Sequence, residues 1–498
     1  MSTPQTGGNT TGQSSAESLV DSYEPVIGLE VHCQLRTESK LFCACSTSFG
    51  ALPNQNTCPV CLGYPGTLPV LNSRAVDYAV RFALAVQGKI RSSSQFSRKQ
   101  YFYADLPKGY QITQYDLPYC SGGHITLGDG RRINLTRAHI EEDAGKNVHG
   151  DQSSYVDLNR AGMPLIEIVS EPEIRSAEEA AEYLKKLRSL VRYLEICDGN
   201  LEEGSFRCDV NISVRKKGTA KFGTRCEIKN LNSFRNIEKA IRYEMVRQVD
   251  VIESGGKIAQ ETLLYDPASG KTKTMRTKED AHDYRYFPDP DLNLLVIDDE
   301  RIAKVQHELP ELPEAMATRL KASYELSDYD AAVLTSEKEL AVFFEQVVAK
   351  VRGDVSHKIC ANWVLSEFLR EVNQREWSLI APPVTADHLA SLLSLIGKGV
   401  ISGKIAKSVF EEMVEKGGEP ADIVKAKGLV QISDSGEIER VVAGVIAAHP
   451  AQVDEYLSGR DRVFGFFVGQ VMKVSQGKFN PGLVNKCLKE MLDARKQG

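Results

Sequence analysis

A chain of 498 residues with 42% hydrophobic and 26% charged residues has material for more than one core, and its length points to about three domains. The net charge of -6 excludes a globally basic nucleic-acid coat, though not a local basic groove, and no apolar run reaches the roughly 18 residues a membrane span needs. Eleven cysteines, an odd number, in a long chain without an export signal favour reduced thiols and metal ligation over a disulfide framework, and the expected compartment is the cytoplasm.

Residues 1–20 are polar and rich in Gly, Ser and Thr, with no apolar or arginine-rich region, and read as a disordered tail. Pro25 to Leu35 alternates strictly and predicts a half-buried strand, with Glu30, His32 and Gln34 on one face and Leu29, Val31, Cys33 and Leu35 on the other. A carboxylate and an imidazole facing one space suit the wall of a metal-nucleotide site, or simply the wet face of a sheet. Cys43-Ala-Cys45 and Cys58-Pro-Val-Cys61 form a pair of knuckles whose thiolates can close a tetrahedron around a structural Zn²⁺, with scattered buried cysteines as the alternative.

Ala75 to Val86 reads as a short helix ending before Gly88. Ser97 to Pro118 then packs tyrosines and a phenylalanine among Arg98, Lys99 and Lys108, a mixture that stacks a base and grips phosphate, or that packs a strand pair. Glu141, Glu142 and Asp143 follow at a strand end, either as an exposed acidic turn or as oxygen ligands for Mg²⁺. Gly145-Lys146 is no P-loop, because Ile140 stands where its first glycine belongs, and Gly270-Lys271-Thr272 fails likewise at Tyr265. Any ATP site here is not of the Walker type.

Pro164 to Val169 is an apolar run with one acid, Glu167. After it, Ser176 and Glu179 predict a capping box opening a helix whose stripe runs from Ala180 through Leu187 to Leu194. Leu201 to Arg215 is a second alternating strand, with Arg207, Asp209, Asn211, Ser213 and Arg215 on one face and Glu202 and Glu203 at its mouth. Arg225 to Lys229 gives a third, bearing Arg225, Glu227 and Lys229. Polar faces of this kind are costly to bury without partners, so these strands and the Glu30/His32 strand are expected to share one cleft.

A capped helix follows from Phe234 to Ser254, and His282 to Leu292 reads as an irregular, proline-bearing segment at a domain edge. From Ile297 the texture becomes helical, with one domain over 297–398 and a smaller one over 399–498. Residues 460–498 carry eight Lys and Arg against three Asp and Glu, a local +5 that suits an RNA backbone or a solvated face.

The stretches IGLEVHCQL, CPVCLGYPGTLPVLN, RKQYFYADLPKGYQI, HIEEDAGK, DLNRAGMPLIEIVSEP, LEEGSFRCDVNISVR, EIKNLNSF and DYRYFPDPDL, with ISGKIAKSVFEEM near the end, closely resemble the B-subunit family of aspartyl/glutamyl-tRNA(Asn/Gln) amidotransferases. The resemblance runs from about Tyr23 to Asp493 with the motifs in order. It implies an α+β fold: a β-rich, cradle-like kinase domain over 21–296 with the four-cysteine zinc knuckle, a helical domain, and a small helical tail domain that binds tRNA.

It further implies that ATP and Mg²⁺ serve to phosphorylate the side-chain carboxylate of Glu or Asp misacylated on tRNA. Ammonia from a glutaminase A subunit then displaces phosphate, and a small C subunit completes a heterotrimer. On this resemblance and the residue pattern, Glu30, His32, Glu141 and Glu142 are expected to hold Mg²⁺. Glu202, Glu203 and Asp209 are second-choice ligands or ammonia-channel groups. Lys99, Tyr101 and Lys108 are expected at phosphate, nucleotide or channel mouth, and Arg207 at the substrate carboxylate. Zinc on Cys43, Cys45, Cys58 and Cys61 looks dispensable to the chemistry. The competing expectations are a non-catalytic tRNA-binding scaffold and a ligase acting alone on another substrate.

Overall fold

The computed structural model describes residues 20–150, 152–277, 283–429, 435–475 and 479–495. Residues 1–19 of the expected tail, His282, Lys478 and Lys496 lie outside them. The chain divides into two compact units, Met1–Pro313 and Glu314–Gly498.

The first unit is built on β1 (Tyr23–Gln34), β2 (Lys89–Ile90), β3 (Ser93–Ser94), β4 (Ser97–Gln100), β5 (Tyr110–Thr113), β6 (Cys120–Ser121), β7 (His124–Thr126), β8 (Arg132–Glu142), β9 (Lys146–His149), β10 (Ser154–Asp157), β11 (Pro164–Ser170), β12 (Phe206–Lys216), β13 (Cys226–Lys229), β14 (Glu261–Asp266) and β15 (Lys271–Thr277). Ten of these form one sheet in the order β15-β14-β13-β12-β1-β11-β8-β6-β2, with β7 also on β8. β1 lies in the middle of the order, paired antiparallel to β12 from Tyr23 to Cys33 and to β11 from Glu30 to Gln34.

Period-2 alternation gives the sheet two unlike faces. Leu29, Val31 and Cys33 of β1, Ile140 of β8, Ile166 and Ile168 of β11, and Cys208, Val210 and Ile212 of β12 enter one continuous core. Helices cover that face: α1 (Ser73–Ala85) packs on β8, and α2 (Ala177–Tyr193) and α3 (Phe234–Glu253) pack on each other, with α3 on β12. α2 begins where Ser176 accepts a hydrogen bond from the Glu179 backbone, carries Glu178 and Glu179 in its first turn and Arg192 in its last, and is followed by Glu195 at φ 58°. The expected capping box is only half formed, because the Glu179 carboxylate accepts from the Arg175 N–H, one residue outside the cap.

Ala180, Leu184, Leu187 and Val191 are buried along one stripe of α2, and Leu187 has no exposed surface. Leu187→Ala should therefore lower unfolding stability by about 2–5 kcal/mol, read as a lower urea midpoint. A loss under about 1 kcal/mol would mean that this helix is not part of the core.

Several boundaries move from expectation. Residues 201–204 form a turn and β12 starts at Phe206; Arg225 precedes β13. The aromatic segment folds into the hairpin β4–β5, onto which Phe287–Pro288 returns as a third strand, held by Arg98 on Asp289 and Asp291 at 2.8 Å each.

The regular elements of the second unit among the described residues are helices, including Lys338–Lys350, Ala386–Gly397 and Gly403–Lys416. Its last helices, Ser435–Ala448, Phe464–Val474 and Pro481–Ala494, close a separate apolar cluster around Val442, Phe467 and Leu488. Arg460, Arg462, Lys473, Lys486, Lys489 and Arg495 are exposed around it. No helix among the described residues is long and apolar enough to cross a membrane.

Candidate active site

Strand register assembles the site before any side-chain detail enters. Residues paired across antiparallel strands share a face, and the pairs Asp209–Glu30, Arg207–His32, His32–Glu167 and Glu167–His139 run side by side over β12, β1, β11 and β8. Asn211–Glu227 extends the same face to β13. Opposite the helix-packed core, the sheet thus presents carboxylates, imidazoles and cations together.

At its centre, His32 Nε2 lies 3.5 Å from Glu167, 3.6 Å from Glu141 and 3.8 Å from Glu30. His139 Nε2 lies 3.4 Å from Glu167 and 3.7 Å from Glu141. These separations exceed good hydrogen-bond lengths. They fall between the roughly 3.0 Å and 4.2 Å that separate neighbouring and opposite ligands of an octahedral ion with about 2.1 Å bonds. Two sets of donor atoms lie within 4.8 Å of one another, His32 with Glu141 and Glu167, and Glu30 with His32 and Asp209. Two carboxylates and an imidazole suit Mg²⁺ and Mn²⁺ alike. His139 Nδ1 is buried with no hydrogen-bond partner among the described residues.

The cluster is proton-rich as it stands. Burial pushes the Glu30 carboxyl up to about 7, reinforced by repulsion from Glu167. Burial alone would lower His32 and His139, but the negative charges of Glu167 and Glu141 beside both rings outweigh it and raise each to about 9. Burial likewise disfavours ionised Glu167, yet the two imidazoles hold its carboxyl well below the usual range. A divalent cation binding here must displace protons from Glu30 and His32. Its affinity should rise with pH between about 6 and 9, by up to about tenfold per unit for each proton released. Calorimetry with Mn²⁺ across that window checks this, and a flat profile would place the ion elsewhere.

Asp143 is buried and accepts from both Arg207 nitrogens at 2.9 and 3.1 Å, from Gln34 at 3.0 Å, and pairs with Arg160 at 3.5 Å. Arg207, expected at the substrate carboxylate, is thus anchored on one side by Asp143. Lys229 pairs with Asp209 and with Glu227 at 3.1 Å. Glu142 faces away from Glu141, as adjacent strand residues must; it accepts from Lys108 and from the Ile112 N–H at 2.9 Å and lies in neither donor set. Lys99 sits 4.9 Å over the Tyr284 ring, with the charge of Glu141 raising its pKa against burial. Tyr101 donates to Gln111 at 3.3 Å. Glu202 and Glu203, in the turn before β12, line a separate cavity.

Three residues of this face stand outside the four ligands expected for Mg²⁺: Glu167 and His139, which have no role assigned from the sequence, and Asp143, read there as one of three acids that turn outward or supply oxygen ligands. A signal exists for two of them, since His139 and Glu141 are two apart in β8 and Glu167 is the lone acid in an apolar strand.

The sulfurs of Cys43, Cys45, Cys58 and Cys61 also lie within 4.8 Å of one another, with 3.9 Å between Cys58 and Cys61. A tetrahedron with bonds of about 2.3 Å sets sulfurs about 3.8 Å apart. The Cys61 thiol is pushed down to about 4 by its hydrogen bond with Cys43, aided by the buried Lys40 ammonium 3.7 Å away. Thiolate is the form that ligates metal.

A family model described as the GatB/GatE catalytic domain matches residues 25–303, and one described as the GatB domain matches residues 342–492. The aspartyl/glutamyl-tRNA(Asn/Gln) amidotransferase B subunit of Trichlorobacter lovleyi is 55% identical over 474 residues, covering 94% of this chain and 99% of its own. Its counterpart from Geotalea daltonii is 56% identical over 478 residues, with 94% and 99% covered. That from Alkalilimnicola ehrlichii is 56% identical over 478 residues, with 95% and 100% covered.

Proposed function

Because the chain belongs to the B-subunit family of aspartyl/glutamyl-tRNA(Asn/Gln) amidotransferases, we propose that its polar sheet face is a kinase-like cradle. There the side-chain carboxylate of Glu or Asp misacylated on tRNA is activated by ATP. The observation that carries this reading is the His32–Glu141–Glu167 donor set, with Arg207 and Lys229 on the same face and Lys99, on the β4–β5 hairpin, close enough to feel the Glu141 charge.

The carboxylate is already ionised and nucleophilic, so the protein's task is alignment and charge neutralisation. A carboxylate oxygen attacks the γ-phosphorus and ADP leaves with the bridging oxygen. Ammonia then attacks the carbonyl carbon, and phosphate departs carrying that carboxylate oxygen. His32, Glu141 and Glu167 would hold Mg²⁺, which when bound neutralises charge on phosphate oxygens. Arg207, held by Asp143 through both nitrogens, meets substrate in a fixed orientation. Lys99 and Lys229 keep positive charge on either side of the acids. Ammonia comes from a glutaminase partner, a small third subunit completes the complex, and the exposed basic residues of the last helices contact the tRNA backbone. Zn²⁺ on the four thiolates would hold the intervening loop and take no part in the reaction.

ATP hydrolysis by the assembled complex, with and without Glu-tRNA(Gln) or Asp-tRNA(Asn), tests this. Hydrolysis stimulated by the misacylated tRNA is expected. Hydrolysis that is absent, or indifferent to the tRNA, would leave a tRNA-binding scaffold.

A further inference from the structure

A cavity of about 590 Å³ opens beside the acidic cluster, between the loop that joins the two cysteine knuckles and the turn before β12. Gln34 lines it and stands on the same face of β1 as His32, two residues and about 7 Å along the strand. The cluster and the cavity are therefore within one nucleotide's length of each other.

The lining is unlike the cluster. Arg36 and Lys146 are exposed cations with no ion pair among the described residues. Phe49 is 75% exposed yet lines the cavity with its neighbours Ser48 and Gly50. A solvent-facing phenylalanine on a loop needs an explanation, because the loop itself is firmly built. Asn54 receives Leu158 N–H at 2.8 Å and donates to Val156 O at 2.9 Å. Asn159 accepts from Asn56 N–H at 2.8 Å and donates to Leu52 O at 2.7 Å. Cys45 and Cys58, two of the four converging cysteines, stand at its ends. Glu202 and Glu203 stand on the opposite rim.

An aromatic side chain on a hydrogen-bonded loop, two cations unpaired among the described residues and rim carboxylates match a base, a phosphate and ribose hydroxyls. Resting on the kinase reading above, we infer that this cavity is a nucleoside-phosphate subsite of the same centre. It takes an adenosine unit whose base stacks on Phe49 and whose phosphate meets Arg36 and Lys146, while the reacting group reaches the His32–Glu141–Glu167 cluster. Both substrates bring such a unit next to their reacting group, ATP through its own adenosine and the aminoacyl-tRNA through its terminal one.

Equilibrium binding to the assembled complex separates the two sources, with ATP in one arm and the aminoacylated tRNA in the other. Phe49→Ala should weaken one arm by about 5- to 150-fold, the range of one base stacked on an aromatic ring. The pair Arg36→Ala and Lys146→Ala should weaken that same arm. All three side chains are exposed, so the fold is not at stake. Loss in the ATP arm assigns the cavity to the nucleotide, and loss in the tRNA arm assigns it to the acceptor end. Unchanged affinity in both arms overturns the subsite. Wild-type turnover reports on the kinase reading separately: an active complex with unaffected binding removes the cavity alone, whereas an inactive one removes that reading and leaves the binding arms to decide the cavity.

Discussion

Glu167→Gln should lower tRNA-stimulated ATP turnover by about 10²- to 10³-fold, the scale for removing a charged group aimed at a reacting centre. Glu167 lies between His32 at 3.5 Å and His139 at 3.4 Å, and is buried on β11. The amide keeps the shape and removes the charge, so both the proposed ligand for the cation and the charged partner of two imidazoles are lost. A second readout separates this from a packing defect. Without Glu167 the two imidazoles should titrate below their present value of about 9, toward the ordinary 6.5. Their contribution to the stability of the metal-free protein follows: raised values add stability that is complete below about pH 6.5 and lost as pH rises through about 9. In the variant that loss should shift to lower pH and shrink. Turnover within about fivefold of wild type, with both imidazoles still titrating near 9, would contradict the site.

The cysteine knuckles carry the second large effect. The chain should hold one tightly bound zinc, and replacing Cys43 and Cys61 together by serine should abolish it. A hydroxyl does not ionise as a thiol does, and the Cys61 thiol is pushed down toward its thiolate form. The core under β1 does not depend on the metal, so the cost falls on the loop from 46 to 57. Proteolytic cleavage there should accelerate by about tenfold or more, equivalent to about 1.4 kcal/mol of easier local opening. Unchanged cleavage and unchanged metal content would mean that the four sulfurs are merely neighbours.

How far the sequence discloses this arrangement differs from element to element. Alternation along β1 and β12 is local, and it correctly puts Glu30, His32, Arg207 and Asp209 on a face away from Val31 and Val210. The cysteine spacing is likewise local, and the four sulfurs do converge. Register between strands is not local. That Glu167 of β11 stands beside His32 depends on which strands become neighbours, and nothing in PLIEIV states that. The same limit explains Glu142. Consecutive acids look like one ligand group in a sequence, but a strand sends Glu141 and Glu142 to opposite faces, and only the hairpin β4–β5 supplies the lysine that Glu142 meets. Arg207 reads as a free cation until Asp143, 64 positions away, is folded against it.

The most direct test follows the oxygen. Glu-tRNA(Gln) carrying ¹⁸O in both oxygens of its side-chain carboxylate is given to the assembled complex with ATP and glutamine, and the inorganic phosphate released is weighed by mass spectrometry. Attack by the carboxylate on the γ-phosphorus requires one labelled oxygen in each phosphate released with product. Unlabelled phosphate, formed while Gln-tRNA accumulates, would mean that ATP is spent on some other step and that the polar face of this sheet does not activate the carboxylate.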